Sequence, residues 1–286
     1  MSFQFFAWLS SISSGISILS TKITSKHLIK NPWHFNFLMM ASISVVTICV
    51  SIYSGAHFPA FLVPVVLAGI TSGLISVAFV FSIYHLDISV LAPLFSFRTF
   101  FGLIFGTVLL HEVISRQDIF FILIIFVAGF FVTFDQKLKL RSFFQKGILY
   151  ALCMTAGLGI FGVFVQIAIR ENGFWTASCG ISIVALITIL PTLLLTKEPL
   201  RITRMTLYAI TVITLFDTIS RLASQKAYAE NYTISQAIVS LPISMFFVFI
   251  LSQIKPQFLE SHPLSVYLVR FIAGSSMIYA AIQLSL

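Results

Sequence analysis

The sequence predicts an all-α fold: a polytopic membrane protein of ten transmembrane helices, arranged as two inverted five-helix repeats. Three observations predict it. The chain is too apolar for water, its apolar runs have the length of a bilayer crossing, and its second half repeats the pattern of its first.

Of 286 residues, 58% are hydrophobic and only 9% are charged, and the mean hydropathy is +1.03. A soluble domain carries about 25% charged residues to wet its surface. Lipid is therefore the expected solvent of this one. The formal charge of +8 does not point to nucleic acid, because the positive residues sit in short connectors between apolar runs, as in membrane proteins. Cys49, Cys153 and Cys179 lie inside apolar runs without CxxC spacing. They read as small buried hydrophobes rather than metal ligands or disulfides.

A bilayer core of about 30 Å takes roughly 20 helical residues, and helices satisfy their own backbone in lipid. The first span, 3–21, opens with MSFQFFAWLSSISSG, which lacks the Lys/Arg region of a cleaved signal peptide and is expected to remain. Ser10, Ser13, Ser14, Ser17 and Thr21 share one of its faces, ending beside Lys22. Spans 33–54 and 60–85 follow. The fourth, 88–111, holds Pro93 and Arg98, and the fifth is 117–135. The basic break DQKLKLRSFFQKG then divides the chain into 1–136, a connector 137–146, and 147–286. The second set of spans is 147–169, 174–196 with Pro191, 205–229, 233–253 with Pro242, and 265–285 with Arg270 near its start. Prolines in mid-span bend or break a helix, which is tolerated where the freed carbonyls face protein or a cavity.

Five spans per half is an odd number, so the halves run in opposite directions. They also match in sequence. A shift of 146 lays ISVLAPLFSFRTFF over ISQAIVSLPISMFF, a shift of 145 lays IIFVAG over VRFIAG, and a shift of 144 lays LISVAFVFSIY over TISRLASQKAY. Three collinear matches predict an internal duplication. Connectors after spans 1, 5, 7 and 9 hold eleven positive residues, among them Lys26, Lys30, Lys137, Lys197 and Lys255, whereas Arg116, Arg170 and Lys226 lie on the other side. Lys and Arg favour the cytoplasm, so both termini are expected outside.

Arg98 falls near the midplane, where an Arg costs at least about 2.5–3.5 kcal/mol on insertion scales. It must face protein or a wet cavity. On its stripe, Gly102 and Gly106 argue for tight helix packing, while the equivalent stripe of the second half, Gln236, Ser240 and Ser244, is polar over two turns. A structural ion pair for Arg98 is the alternative to a role in substrate binding. Asp217, Ser220, Arg221, Ser224 and Gln225 share one helix face, as a cavity lining would, although Asp217 and Arg221 at i,i+4 could simply neutralise each other. With Ser17 and Lys22 they make up the expected substrate cavity. For Ser17 the alternative is close helix packing, and for Lys22 a topology-setting position at the interface. Asp87 and Glu112, near span ends with His85 and Asp135, are candidate proton relays. His111-Glu112 has no HExxH partner, no catalytic or metal constellation stands out, and a GxxxxGK phosphate loop is missing. Neither an enzyme nor direct ATP drive is expected, and no cofactor.

The stretch YHLDISVLAPLFSFRTFFGLIFGTVLLHEVISRQDIFFILIIFVAGFFVTF, with the looser YAENYTISQAIVSLPISMFF and FIAG of the second half and the opening WLSSISSGISILSTKI, resembles the EamA type of the drug/metabolite transporter superfamily. The resemblance covers essentially the whole chain, although Arg98 stands where relatives more often carry an apolar residue or proline. It implies a central cavity built from spans 1–4 and 6–9, with spans 5 and 10 peripheral and available for a homodimer. It also implies small polar metabolites as cargo. The expected function is a secondary transporter or facilitator moving such a metabolite, an amino acid or an anion by preference, by alternating access. The expected partners are that small molecule and the lipid bilayer, and the expected location is a prokaryotic cell (inner) membrane. The alternatives are a non-transporting subunit or scaffold, and an intramembrane enzyme acting on lipids.

Overall fold

The computed structural model describes residues 2–86, 91, 94–133, 146–195, 202–254 and 264–286. Among them the order is α1 (Phe3–His27), α2 (Pro32–Tyr53), α3 (Leu62–His85), α4 (Phe97–Leu109), α5 (Arg116–Thr133), α6 (Lys146–Asn172), α7 (Phe174–Ile189), α8 (Arg204–Glu230), α9 (Tyr232–Val239), α10 (Ile243–Ile254) and α11 (Leu264–Gln283), with no strand. Among the described residues, seven helical segments are long and apolar enough to cross a membrane. The protein is a multi-pass helical membrane protein.

Helix ends follow local chemistry. Asn31 caps α2 by accepting from the Trp33 and His34 N–H groups, with Pro32 at the first helical position. Thr203 caps α8 through the Thr206 N–H. The tight corner between α6 and α7 is made by Gly173 at φ 79°, where only glycine is unstrained. Pro191 converts the end of α7 into a 3-10 turn over Leu190–Leu195 rather than bending it at mid-span. The ninth expected span is two pieces, because α9 stops at Val239 and α10 starts after Pro242, whose ring cannot continue the backbone ladder. In the first half α4 begins at Phe97 after a turn at Phe95–Ser96, with Leu91 and Leu94 helical ahead of it. The starts of α4 and α10 differ by 243 − 97 = 146 residues, the same offset that aligns the two halves in sequence. Pro93 lies outside the described residues.

Most of the packing joins one half to the other. α1 runs against α8 and α10, α3 against α6 and α7, α2 against α7 and α8, α4 against α6 and α9, and α5 against α11. Lipid supplies no hydrophobic force between helices, so close approach through small residues must serve instead. Gly69 and Gly73 of α3 lie under Val184 and Thr188 of α7, Gly15 of α1 meets Ile243 and Phe247 of α10, and Gly159 of α6 meets Phe101 of α4. Outward faces carry exposed Leu67, Leu74, Phe120, Leu123, Ile183 and Ile272, as a lipid-facing surface should. The cysteines correct the sequence reading: only Cys179 is buried, and Cys49 and Cys153 are exposed. A thiol is apolar enough to face acyl chains, so its place in an apolar run does not decide between core and lipid.

Candidate functional site

A cavity of about 120 Å³ lies among α1, α2, α3, α4, α6, α8 and α9. Its polar wall carries Ser10, Ser14, Ser72, Ser76, Ser220, Ser224, Asp217, Arg221, Arg98 and Tyr228, and its apolar wall includes Phe79, Phe95, Phe161, Met39 and Met154. Both halves contribute to each wall.

Arg98, 8% exposed, points inward from the second helical position of α4. One terminal nitrogen, Nη2, donates to the Tyr228 hydroxyl and, at 2.9 Å, to Oε1 of Gln236. Its Nε is buried with no partner among the described residues. The guanidinium also lies 6.0 Å from the centre of the Tyr228 ring. No ion pair with an acid holds it among the described residues. The second arginine is different. Arg221 Nε donates to Asp217 Oδ2 at 2.5 Å, its Nη1 donates to Ser72 Oγ at 3.2 Å, and Ser17 Oγ donates to the other Asp217 oxygen at 3.3 Å. That i,i+4 pair is charge-neutral, so Arg98 supplies the uncompensated positive charge of the cavity.

The remaining expected residues separate into four groups. Ser10 and Ser14 of the α1 stripe line the cavity, while Ser17 sits behind Asp217. Gln236, Ser240 and Ser244 do not line it. They fill the seam between halves: Gln236 packs on Gly102 and donates to the Leu158 carbonyl at 3.0 Å, and Ser240 pairs with Thr99 at 2.6 Å. Ser244 borders a separate void of about 10 Å³ at the α9–α10 break. The seam needs these groups because the broken helix frees backbone and brings polar side chains of α4 and α9 face to face. Gln225 turns away from the cavity to accept from Ser178 at 2.7 Å, beside another void of about 10 Å³ that shares Ser72 and Arg221 with the main one.

Lys22 and Glu112 serve helix ends. Lys22, 7% exposed, donates to the carbonyls of Ile83 at 2.9 Å and Leu86 at 2.7 Å. These are orphan acceptors at the end of α3, and Lys22 does not line the cavity. Glu112 accepts from the N–H groups of Tyr232 and Thr233 at 2.9 and 3.0 Å and from the Thr233 hydroxyl at 2.6 Å. It caps α9 from another helix, helped by His111 at φ 55°, which reverses the chain after α4. Gln166 also reaches this capping carboxylate at 3.4 Å. Asp87, Asp135 and Glu260 lie outside the described residues. No three His, Cys, Asp or Glu side chains converge as a metal site among the described residues.

No protein-family model and no curated protein matches the chain. Function must therefore be argued from the cavity itself. Sequence reasoning passed over Tyr228, yet it extends the stripe of Asp217, Arg221 and Ser224 by one more turn, at i+11 from Asp217. Ser72 and Ser76 likewise stand four apart amid the glycines of α3. Both signals were periodic, and both were readable by extending the same stripe rule.

Proposed function

We propose that the protein is a secondary transporter or facilitator that carries a small polar metabolite, an amino acid or an anion by preference, across a membrane by alternating access between two inverted five-helix halves of EamA-like design. The observation that carries this reading is the cavity with Arg98, Asp217 and Arg221 in its lining, walled by helices of both halves. A guanidinium at bilayer depth persists only where protein or water meets it, and a cavity bounded by two bundles is where rocking of one against the other would expose a ligand to alternate sides.

Support for the repeat comes from symmetry in the packing. Exchange of spans 1–5 with spans 6–10 turns the α3–α6 contact into α8–α1, the α3–α7 contact into α8–α2, and the α4–α6 contact into α10–α1, while α2–α7 and α5–α11 map onto themselves. The matching starts of α4 and α10 belong to the same correspondence. Both termini are assigned to the outer side of a cell membrane by the connector charges.

Counterflow in proteoliposomes tests the proposal. Vesicles loaded with an unlabelled metabolite should accumulate the labelled one when the protein is present, and Arg98→Ala should abolish the accumulation. Flux equal to that of protein-free vesicles across amino acids, carboxylates and phosphates would remove the transporter reading and leave a non-transporting subunit as the better account.

A further inference from the structure

Building on the transporter reading, we propose that the cargo is a monoanion with a compact apolar body, its carboxylate held by Arg98 and its body by the aromatic wall. A guanidinium has five N–H donors. Two hydrogen bonds leave Arg98, both from Nη2, so Nε and Nη1 are without partners among the described residues. Nε is buried away from the cavity space, so Nη1 is the donor left to meet a ligand, and a charged donor left unsatisfied costs free energy unless something accepts from it. Tyr228 adds to the same spot. Its oxygen takes one of the Arg98 bonds, and its own hydroxyl proton has Ser224 Oγ within reach as well as the cavity it lines. Guanidinium and phenol together fit one carboxylate.

Charge decides how much anion the site can take. Asp217 cancels Arg221 through a 2.5 Å contact, so among the described residues the cavity holds one net positive charge, that of Arg98. A monoanion brings the site to neutrality. A dianion overshoots by one, and a zwitterion leaves one positive charge uncompensated in a low-dielectric space, where such residues are costly. An ammonium group would also need an acid, and Asp217, the acid in the lining, already accepts from Arg221 and Ser17.

Size and lining define the rest. A cavity of about 150 Å³ accommodates a benzene ring, and this one, at about 120 Å³, is of that class. Phe79, Phe95, Phe161, Met39 and Met154 line the same cavity as Arg98 and offer ring and thioether surface to an apolar body. Nucleotides and sugar phosphates are too large and too highly charged. A short branched or single-ring monocarboxylate fits both walls.

The test is ligand binding to the purified full-length protein, followed by thermal shift and equilibrium dialysis, with four probes of one body: benzoate, its neutral amide benzamide, the dianion terephthalate and the zwitterion phenylglycine. Benzoate should bind at least tenfold more tightly than each of the others. Arg98→Gln should erase the preference of benzoate over benzamide. Asp217→Asn, which releases Arg221 as a second cation, should improve terephthalate at least tenfold. If Arg98→Gln does not yield folded protein, the wild-type ranking and the Asp217→Asn response still decide. Equal affinity for benzoate and benzamide, or a best ligand that is zwitterionic or doubly charged, overturns the assignment. Counterflow separates this from the parent reading: transport of another solute without benzoate selectivity sinks the monoanion and keeps the transporter, whereas selective benzoate binding without flux keeps the site and sinks transport.

Discussion

The Arg98 guanidinium on α4 donates to Gln236 Oε1 on α9 at 2.9 Å, and the Gln236 amide nitrogen passes on to the Leu158 carbonyl of α6 at 3.0 Å. One polar thread thus crosses three helices and fixes the arginine in place. Gln236 is fully buried, so each end of the thread depends on it.

Gln236→Leu should therefore destabilise the fold. It removes an acceptor from Arg98 and a donor from the Leu158 carbonyl, and an unsatisfied buried group costs about 1–3 kcal/mol. Unfolding in mixed micelles by denaturing detergent would read the change. A stability equal to wild type would mean that the thread contributes nothing.

The Asp217–Arg221 pair should behave as a coupled unit. Either Asp217→Asn or Arg221→Gln alone leaves one member of the pair without its partner, whereas the double variant removes both charges together. A double-mutant cycle on unfolding free energy should give a coupling of about 0.5–3 kcal/mol, the range for residues in contact. Simple additivity of the two single variants would contradict the 2.5 Å contact.

Glu112 distinguishes a cap from a proton relay. Glu112→Ala should lower stability by about 1–3 kcal/mol through the loss of the bonds to Tyr232 and Thr233, and Glu112→Gln by less, since one oxygen remains to accept. Carboxylates at helix N-termini contribute typically about 0.3–1 kcal/mol through the dipole. Transport by Glu112→Gln should survive. A variant of full stability that loses proton-coupled uptake would restore the relay.

The sequence carried the helices well and the site unevenly, for physical reasons. Hydropathy marks a bilayer crossing because composition alone sets solvent preference, and seven segments appear where it placed them. Asp217, Arg221 and Ser224 were readable because a helix face is a local property. Lys22, Gln225 and Glu112 were not, because their partners, the Leu86 carbonyl, Ser178 and Thr233, lie 47 or more residues away. A buried polar residue looks the same in sequence whether it lines a cavity or satisfies the end of another helix. Gln236, Ser240 and Ser244 show the same ambiguity: Gln236 and Ser240 meet Arg98 and Thr99 of α4, while Ser244 meets Gly15 of α1.

The pairing of α1 with α8, α3 with α6 and α5 with α11 has a consequence during synthesis. At about 5–20 residues per second, the ribosome needs roughly ten to thirty seconds to supply the second half. Throughout that interval Ser72, Ser76 and Arg98 wait in the bilayer for α8 and α9 to arrive. A nascent chain stalled at the basic connector would present those groups to acyl tails, and quality-control proteases would find it there.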